Sequence, residues 1–192
     1  PMISRAQAKP IKVGMPTILS GRVAQLGTSA RNAVNMEVEK FNAAGGLGGR
    51  PIEMVIRDSK GTPQEAASEF GKQLQEKKYG SEVATRYGLA YALFKAKQLA
   101  AAQREVEALA ALKASSPMIA GLAATIRIAA DDLPGAVTIY RDAMQRYPQS
   151  RSLVYGYAEA LLAARQYEQG LCFLDSQVQT YSSDYKLYGL QA

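Results

Sequence analysis

The feature that most constrains this chain is a repeat with a period of 34 residues, running from Ser81 to Tyr181. Small residues recur at this spacing at Ala102, Ala136 and Gly170. The same spacing separates Leu89-Ala90, Ala123-Ala124 and Tyr157-Ala158, the large residues Leu99, Leu133 and Tyr167, and the large residues Val106, Tyr140 and Leu174. Because small residues let two helices approach closely and large ones fill the space beside them, the pattern predicts stacked helix pairs.

A 34-residue period of paired helices is typical of tetratricopeptide repeats. The predicted pairs are Glu82–Lys95 with Leu99–Leu112, Met118–Ala130 with Pro134–Arg146, and Ser152–Ala164 with Glu168–Gln179. Asp184–Ala192 opens a further helix, so we expect the last repeat to be truncated. Residues 67–192 are therefore predicted to form a tetratricopeptide-repeat domain, an architecture that serves many unrelated functions.

The N-terminal part of the chain has a different pattern. Ile11–Pro16 and Pro51–Arg57 are short apolar stretches bounded by turn residues, which predicts two strands. Between them, Thr28 or Ser29 is expected to cap a helix that ends at a glycine-rich turn. A strand, a helix and a strand of these lengths form one βαβ crossover with parallel strands. The predicted fold class is therefore mainly α, a tetratricopeptide-repeat α-solenoid preceded by a small βαβ unit in residues 1–66.

Several motifs in this N-terminal part carry a family resemblance. They are Ile11-Lys12-Val13-Gly14, Leu19-Ser20-Gly21, Asn42-Ala43-Ala44-Gly45-Gly46-Leu47-Gly48-Gly49-Arg50, and Arg57-Asp58 ahead of Thr62-Pro63-Gln64-Glu65-Ala66. Residues 10–66 resemble the N-terminus of type I periplasmic binding proteins, and those of branched-chain amino acid transporters above all. The resemblance implies the beginning of a doubly wound lobe, in a family whose ligand lies in the cleft between two lobes.

The loop after the first strand is the part of this segment that matches the rim of that cleft. The candidate ligand-binding residues are therefore Ser20, Gly27 and Thr28. Most ligand contacts of the family come from later strands and from the second lobe, which have no counterpart in this sequence. Because a small-molecule site needs both walls of its cleft, we expect no tight binding of a branched-chain amino acid. An amino-acid-binding fragment of a transporter is the alternative function.

The repeats carry a second resemblance. Its motifs are Arg86-Tyr87-Gly88-Leu89-Ala90-Tyr91-Ala92-Leu93, Gly135-Ala136-Val137, Tyr147-Pro148 and Tyr188-Gly189-Leu190-Gln191-Ala192. Residues 69–192 resemble the C-terminal repeat region of periplasmic H-E-x-x-H zinc metalloproteases of the outer-membrane assembly quality-control type. The resemblance implies a partner-docking domain without its enzyme, with outer-membrane proteins or their assembly machinery as partners. Both resemblances imply a periplasmic location, and together they suggest a natural fusion or a chimera.

Composition excludes several kinds of chemistry. Histidine is absent, which removes Ser-His-Asp and Cys-His nucleophile systems and H-E-x-x-H zinc sites. The single cysteine, Cys172, rules out an internal disulfide framework and is expected to be a small buried hydrophobe. The doublet Asp131-Asp132 falls between two predicted helices and is interpreted as a turn rather than a metal site. We therefore expect no enzymatic activity, no metal and no cofactor.

Charge and hydropathy exclude two further classes of partner. The net charge of +6 comes without a basic run interleaved with aromatic residues, so nucleic-acid binding is not expected. The sequence contains no apolar run of the length that a membrane span requires. A protein or peptide partner is the remaining expectation.

The register of the repeats predicts which residues of the inner helices face a concave groove. They are Tyr87, Tyr91, Phe94 and Lys95 in the first repeat, Met118, Gly121, Thr125 and Ile128 in the second, and Ser152, Tyr155, Glu159 and Leu162 in the third. A groove with several tyrosines suits an extended peptide or a helix, because tyrosine combines a large contact area with one polar tip. The structural alternative is that individual members pack against a neighbouring element.

The βαβ unit is too small to bury its apolar faces alone. We expect the helix Thr62–Lys78 to dock it on the repeats, with Phe70 and Leu74 packed against Tyr87 or Leu89. The free sheet edge and the unfinished last repeat are expected to be covered by a second copy, which predicts a homo-oligomer.

Overall fold

The computed structural model of the protein describes residues 9–76, 81–180 and 189. Within these residues the elements are β1 (Ile11–Thr17), α1 (Ala24–Ala43), β2 (Ile52–Asp58), α2 (Pro63–Glu76), α3 (Glu82–Lys95), α4 (Leu99–Ala111), α5 (Pro117–Ala129), α6 (Leu133–Arg146), α7 (Arg151–Ala163) and α8 (Tyr167–Thr180). They are divided between two compact units, Pro1–Leu112 and Lys113–Ala192. The predicted fold class is confirmed. The helix predicted over Asp184–Ala192 lies outside the described residues except for Gly189.

A two-stranded parallel sheet opens the first unit. Its register pairs Ile11 with Ile52 and Thr17 with Asp58. A parallel pair needs a long crossover connection, and α1 provides it. The predicted strand pair is therefore confirmed, with each strand ending one residue later than expected.

The start of α1 differs from the prediction. The helix begins at Ala24, so Thr28 and Ser29 lie inside it, and the residue at its N-cap makes no side-chain capping bond. Packing decides the start instead, because Gly27 lies so close to the Ile18 backbone that a Cβ would overlap the carbonyl group. A glycine is required where a helix and a loop approach this closely.

Both outer edges of the sheet are partly blocked. On β1, the Ile11 amide points toward β2 and donates to the Pro51 carbonyl at 2.8 Å. Because successive backbone amides of a strand point to opposite sides, the nitrogen of Pro16 points away from β2, to the outer edge. Proline has no N–H group to donate there, and no hydrogen bond of the sheet is lost. On β2, the Asn42 side chain donates to the Ile52 carbonyl at 2.8 Å and accepts from the Ile52 amide at 2.7 Å. These features disfavour pairing of the sheet edges with another strand.

Helix α2 joins the strands to the repeats within the first unit. Phe70 and Leu74 pack against a buried cluster that contains Leu89 and Ala92 of α3. The Phe70 ring also lies over Gly88, where an added Cβ would overlap the ring. The predicted docking of the βαβ unit through Phe70 and Leu74 is therefore confirmed.

The 34-residue period reappears in the backbone of the turn inside each helix pair. Lys97, Asp131 and Arg165 have left-handed φ angles of 60°, 62° and 57°. In each turn the next amide donates to a carbonyl five residues earlier, Gln98 to Leu93, Asp132 to Arg127 and Gln166 to Leu161. This arrangement is the Schellman motif, which ends a helix by satisfying its last carbonyl groups. The repeats therefore share one backbone turn as well as one side-chain pattern.

We expect Arg165→Gly to raise the free energy of unfolding by about 1 kcal/mol. A left-handed conformation costs a residue with a Cβ roughly 1–2 kcal/mol, and part of the gain is offset by the greater freedom of glycine in the unfolded chain. Arg165→Ala keeps the Cβ and serves as the control, with no gain expected. Urea titration of the two variants measures the difference, and equal stabilities would contradict the strain.

The helix contacts are built on the small residues that the period identifies. Ala90, Ala102, Ala124, Ala136 and Ala158 are all completely buried. In the second unit, Ala124 and Ala136 belong to a cluster that includes Leu153, Leu161 and Tyr140, and Ala158 belongs to a cluster with Val154 and Leu174. The small side chains set the distance between helices, and the large ones fill the space beside them.

Cys172 is exposed on α8, so the prediction that it is buried is wrong. The buried residues of this helix include Gly170 and Leu174. Cys172 lies two residues from each of them, which is about 200° around a helix. Cys172 is therefore on the solvent-exposed side of α8, although cysteine is a residue type that is usually buried.

Candidate functional site

The predicted groove residues are divided between the two units. Tyr87, Tyr91, Phe94 and Lys95 lie on α3, and Thr125, Ile128, Tyr155, Glu159 and Leu162 lie on α5 and α7. On α3, Tyr87 is partly buried and Tyr91, one turn later, is 48% exposed. Burial raises the pKa of Tyr87, and Tyr91 adds to the shift. Phe94 is partly buried and Lys95 is exposed, so α3 presents two tyrosines on one face.

In the second unit, the side chain of Tyr140 on α6 lies close to residues of both α5 and α7. Burial raises the pKa of this phenol, a hydrogen bond with Thr125 opposes the rise, and the Glu159 carboxylate adds to it. The hydroxyl end of the ring lies over Gly156 of α7, where an added Cβ would overlap it. The structure therefore brings Thr125 and Glu159, from two different helices, close to one hydroxyl group.

Three of the predicted groove residues also have packing roles. Ile128 packs against the core cluster around Ala124, Tyr155 packs against the cluster of Val154, Ala158 and Leu174, and Leu162 lies next to Gly170. All three side chains are partly buried. Part of each side chain therefore contacts neighbouring residues of the repeats, and only the remaining part is accessible to a partner.

The exposed members of the predicted groove in the second unit are centred on Gly121. Met118 is 64% exposed, and open space surrounds the position that a Cβ of Gly121 would occupy. Thr125 follows one turn later and donates to the Gly121 carbonyl at 2.8 Å. On α7, Ser152 and Glu159 are exposed. We name Met118, Gly121, Thr125, Ser152 and Glu159 the α5–α7 face; it has a notch at Gly121 and one carboxylate.

The candidate ligand-binding residues after β1 take part in holding the loop. The Ser20 hydroxyl hydrogen-bonds with Asp58 and, together with the Leu19 amide at 2.9 Å, lowers the pKa of this carboxyl group. Gly27 is buried at the contact between α1 and the loop, and Thr28 is partly buried inside α1. Asp58, which the sequence indicates only within the motif that follows the predicted second strand, therefore organises the loop between β1 and α1.

In the part of the chain that the structure describes, no group of three or more acidic or cysteine side chains is placed to hold a metal ion. Asp131 has a left-handed backbone, and Asp132 caps α6 by accepting the Gly135 amide at 2.9 Å. Asp132 also pairs with Arg127 at 3.0 Å. The doublet therefore has the turn role that the sequence predicts. No helix in the described ranges has the length and apolar character needed to cross a membrane.

Sequence reasoning missed the residues that support the α5–α7 face. The period identifies Tyr140 only as a large landmark and assigns no role to Gly156. The available signal is the recurrence of glycine two periods apart, at Gly88 and Gly156. In the structure each of these glycines faces an aromatic ring from the preceding helix. At this position of the repeat, glycine therefore leaves room for an aromatic ring of the preceding helix to pack against the backbone.

Comparisons with known proteins match two separate parts of the chain. Residues 10–80 match the family model of periplasmic binding proteins, and residues 127–192 match that of the tetratricopeptide repeat. Neither of these families is catalytic. The first match includes α2, so the helix that docks on the repeats belongs to the segment of periplasmic-binding-protein type. No solved structure matches the chain significantly.

The curated relatives match a short part of the chain. Leu/Ile/Val-binding protein homolog 4 of Brucella abortus (strain 2308) is 39% identical over 62 residues, which is 32% of this chain and 15% of the relative. The homologs of Brucella suis biovar 1 and Brucella melitensis biotype 1 give the same values. The chain therefore spans about 15% of the length of these relatives. It joins a segment similar to periplasmic binding proteins, in residues 10–80, to tetratricopeptide repeats in residues 127–192.

Proposed function

We propose that this chain is a non-catalytic protein-interaction module and that the α5–α7 face binds the partner. The observation that carries the proposal is the open notch at Gly121 beside the exposed Met118. Glycine inside a helix costs roughly 0.5–1 kcal/mol relative to alanine, so its use here favours the close approach of another chain. The tetratricopeptide repeats supply the architecture for such a surface.

The chemistry of the face defines the partner's segment. A large apolar side chain of the partner fills the notch at Gly121 and contacts Met118. A lysine or arginine of the partner lies next to Glu159, whose exposed carboxylate is the negative charge of the face. An extended peptide or one helix turn presents both groups at the required spacing.

The cellular setting of the module is a further part of the proposal. The match of residues 10–80 to periplasmic binding proteins supports a periplasmic location. The motifs of the repeats support a docking region of a periplasmic protease or chaperone-type protein, with outer-membrane proteins or their assembly machinery as partners. Self-association stays a prediction, and the partly blocked edges of the sheet disfavour the strands as its surface.

We expect Gly121→Leu to weaken binding of an unfolded outer-membrane protein at least about tenfold, because the new side chain fills the notch. The same change keeps or raises the stability of α5, since leucine is a better helix former than glycine and meets open space. The measurement is fluorescence anisotropy of labelled segments of the unfolded protein, together with thermal unfolding of the variant.

Gly71→Leu is the matched control, because Gly71 lies inside α2 and an added Cβ also meets open space there. It is expected to leave binding unchanged. Equal binding by the parent and the Gly121→Leu variant would show that the α5–α7 face is not the binding surface.

Binding of an amino acid by the first unit is the second candidate function. The observation that favours it is the 39% identity to Leu/Ile/Val-binding protein homologs. Against it, Ser20 is bonded to Asp58 and Gly27 is buried. Calorimetry with leucine separates the two candidates: micromolar binding would support this one, and no heat of binding would exclude it.

A further inference from the structure

An open apolar groove runs along α1 in the first unit. Its volume is about 680 Å³. The partly buried side chains in its lining are Val34 and Val38 of α1 and Ile52 of β2. Ala33 lies toward the N-terminal end of the groove, and Phe41, which is 42% exposed, lies toward the C-terminal end. The groove therefore leaves apolar surface open to solvent, with a small side chain at one end and a large one at the other.

Hydrogen bonding beside the groove favours a helix over a strand as its occupant. A strand that pairs with β2 needs the outward amide and carbonyl groups of Ile52. The Asn42 side chain already bonds both of them, at 2.7 and 2.8 Å. An apolar groove that follows a helix suits a second helix, which places its own apolar side chains along it.

The charges of the groove indicate which helix fits. The charged side chains in its lining are Glu37 and Lys40, which are both exposed and pair with each other at 2.8 Å. One carboxylate and one ammonium group on the same side of a helix are complementary to the same two groups on an antiparallel copy of that helix. An exposed ion pair contributes little to stability, so exchanging its members between two copies costs little.

The apolar side chains indicate the same arrangement. The stretch from Val34 to Phe41 and the stretch from Glu37 to Lys40 are both centred next to Val38. A single two-fold axis at this point therefore brings Phe41 onto Val34 of the second copy and Glu37 onto Lys40 of the second copy. Each contact occurs twice, as in any interface with two-fold symmetry. Size and charge are thus complementary in one register.

We propose that α1 is a dimerisation helix, whose groove binds α1 of a second copy of this chain in the antiparallel direction. This surface differs from the sheet edges, from the last repeat and from the α5–α7 face. One pair of helices is a small interface beside the roughly 800 Å² per partner of a standard complex. The dimer is therefore weak, and it leaves the α5–α7 face of each copy to a partner.

The test is sedimentation equilibrium of the full chain over a concentration series that extends into the millimolar range. We expect Glu37→Lys and Lys40→Glu each to weaken dimerisation at least about tenfold, because each change places four charges of one sign around the axis. An equimolar mixture of the two variants is expected to dimerise like the parent, since every charge then faces its opposite. Both residues are exposed, so the far-UV circular dichroism of the variants is expected to match that of the parent.

Lys72→Glu is the matched control. It reverses the cation of another pair spaced three residues apart, Glu69 with Lys72 on α2, and is expected to leave dimerisation unchanged. The proposal is overturned by a parent that stays monomeric at every concentration, by equal association of the parent and Glu37→Lys, or by a mixture that associates no more tightly than its components.

A second measurement locates the interface directly. In a sample mixed from isotope-labelled and unlabelled chains, we expect intermolecular nuclear Overhauser effects between the Phe41 ring and the Val34 methyl groups. Intermolecular effects that connect only the repeats would overturn the proposal, because a different surface would then join the copies.

Discussion

Leu161→Ala is expected to lower the free energy of unfolding of the second unit by about 2–5 kcal/mol. Leu161 is completely buried on α7, in a cluster with Leu153, Tyr140 and Ala136. The substitution removes buried methyl groups and leaves a cavity among helices that are already in close contact. Because such helices relax only partially, the cavity adds to the loss of burial.

Leu171→Ala is the matched control for this prediction. It makes the same chemical change on α8 at a side chain that is 45% exposed, and its expected effect is within about 0.5 kcal/mol. Urea unfolding followed by far-UV circular dichroism measures both variants. Similar losses for the two leucines would contradict the arrangement of the core.

The double variant Phe70→Ser with Leu74→Ser is expected to detach the βαβ unit from α3. Both side chains pack against the cluster that contains Leu89. Phe70 and Leu74 are partly buried, so each truncation is expected to cost part of the roughly 3–5 kcal/mol that a fully buried phenylalanine loses, and the two-stranded sheet has little stability of its own. We expect the amides of β1 and β2 to exchange much faster with solvent, while those of α5–α8 keep their protection.

Phe41→Ser is the control for this experiment, because Phe41 is 42% exposed on α1. It is expected to leave the exchange of the strands unchanged. Gly88→Ala tests the same contact from the other side, since its methyl group would overlap the Phe70 ring. Unchanged protection of the strands in the double variant would show that α2 does not hold the two parts together.

Local sequence patterns predict the architecture of this chain well, because the pattern is repeated. A single small residue says little, but Ala102, Ala136 and Gly170 at one spacing indicate close helix contacts, and all three are buried. Phe70 and Leu74 are predictable as a docking surface for a related reason. They are apolar residues one turn apart on a helix whose neighbour, α3, follows after a short connection.

Candidate site residues are harder to predict, because their surroundings come from different helices. Thr125 and Glu159 are identified from the register, but the hydroxyl group between them belongs to Tyr140 of α6. The groove along α1 depends on Ile52 of β2 as well as on Val34 and Val38 of the helix itself. No pattern within one helix reports such a contact.

The sequence by itself determined the period, the helix pairs and the parallel strand pair, because these follow from spacing and local propensity. Only the tertiary structure decided where α1 begins, why Cys172 is exposed and how Asn42 occupies part of the edge of β2. The physical reason is the same in each case. Close packing and hydrogen bonding between distant segments contribute more free energy than a local preference does. A capping preference or the helix propensity of a single residue is worth only about 1 kcal/mol.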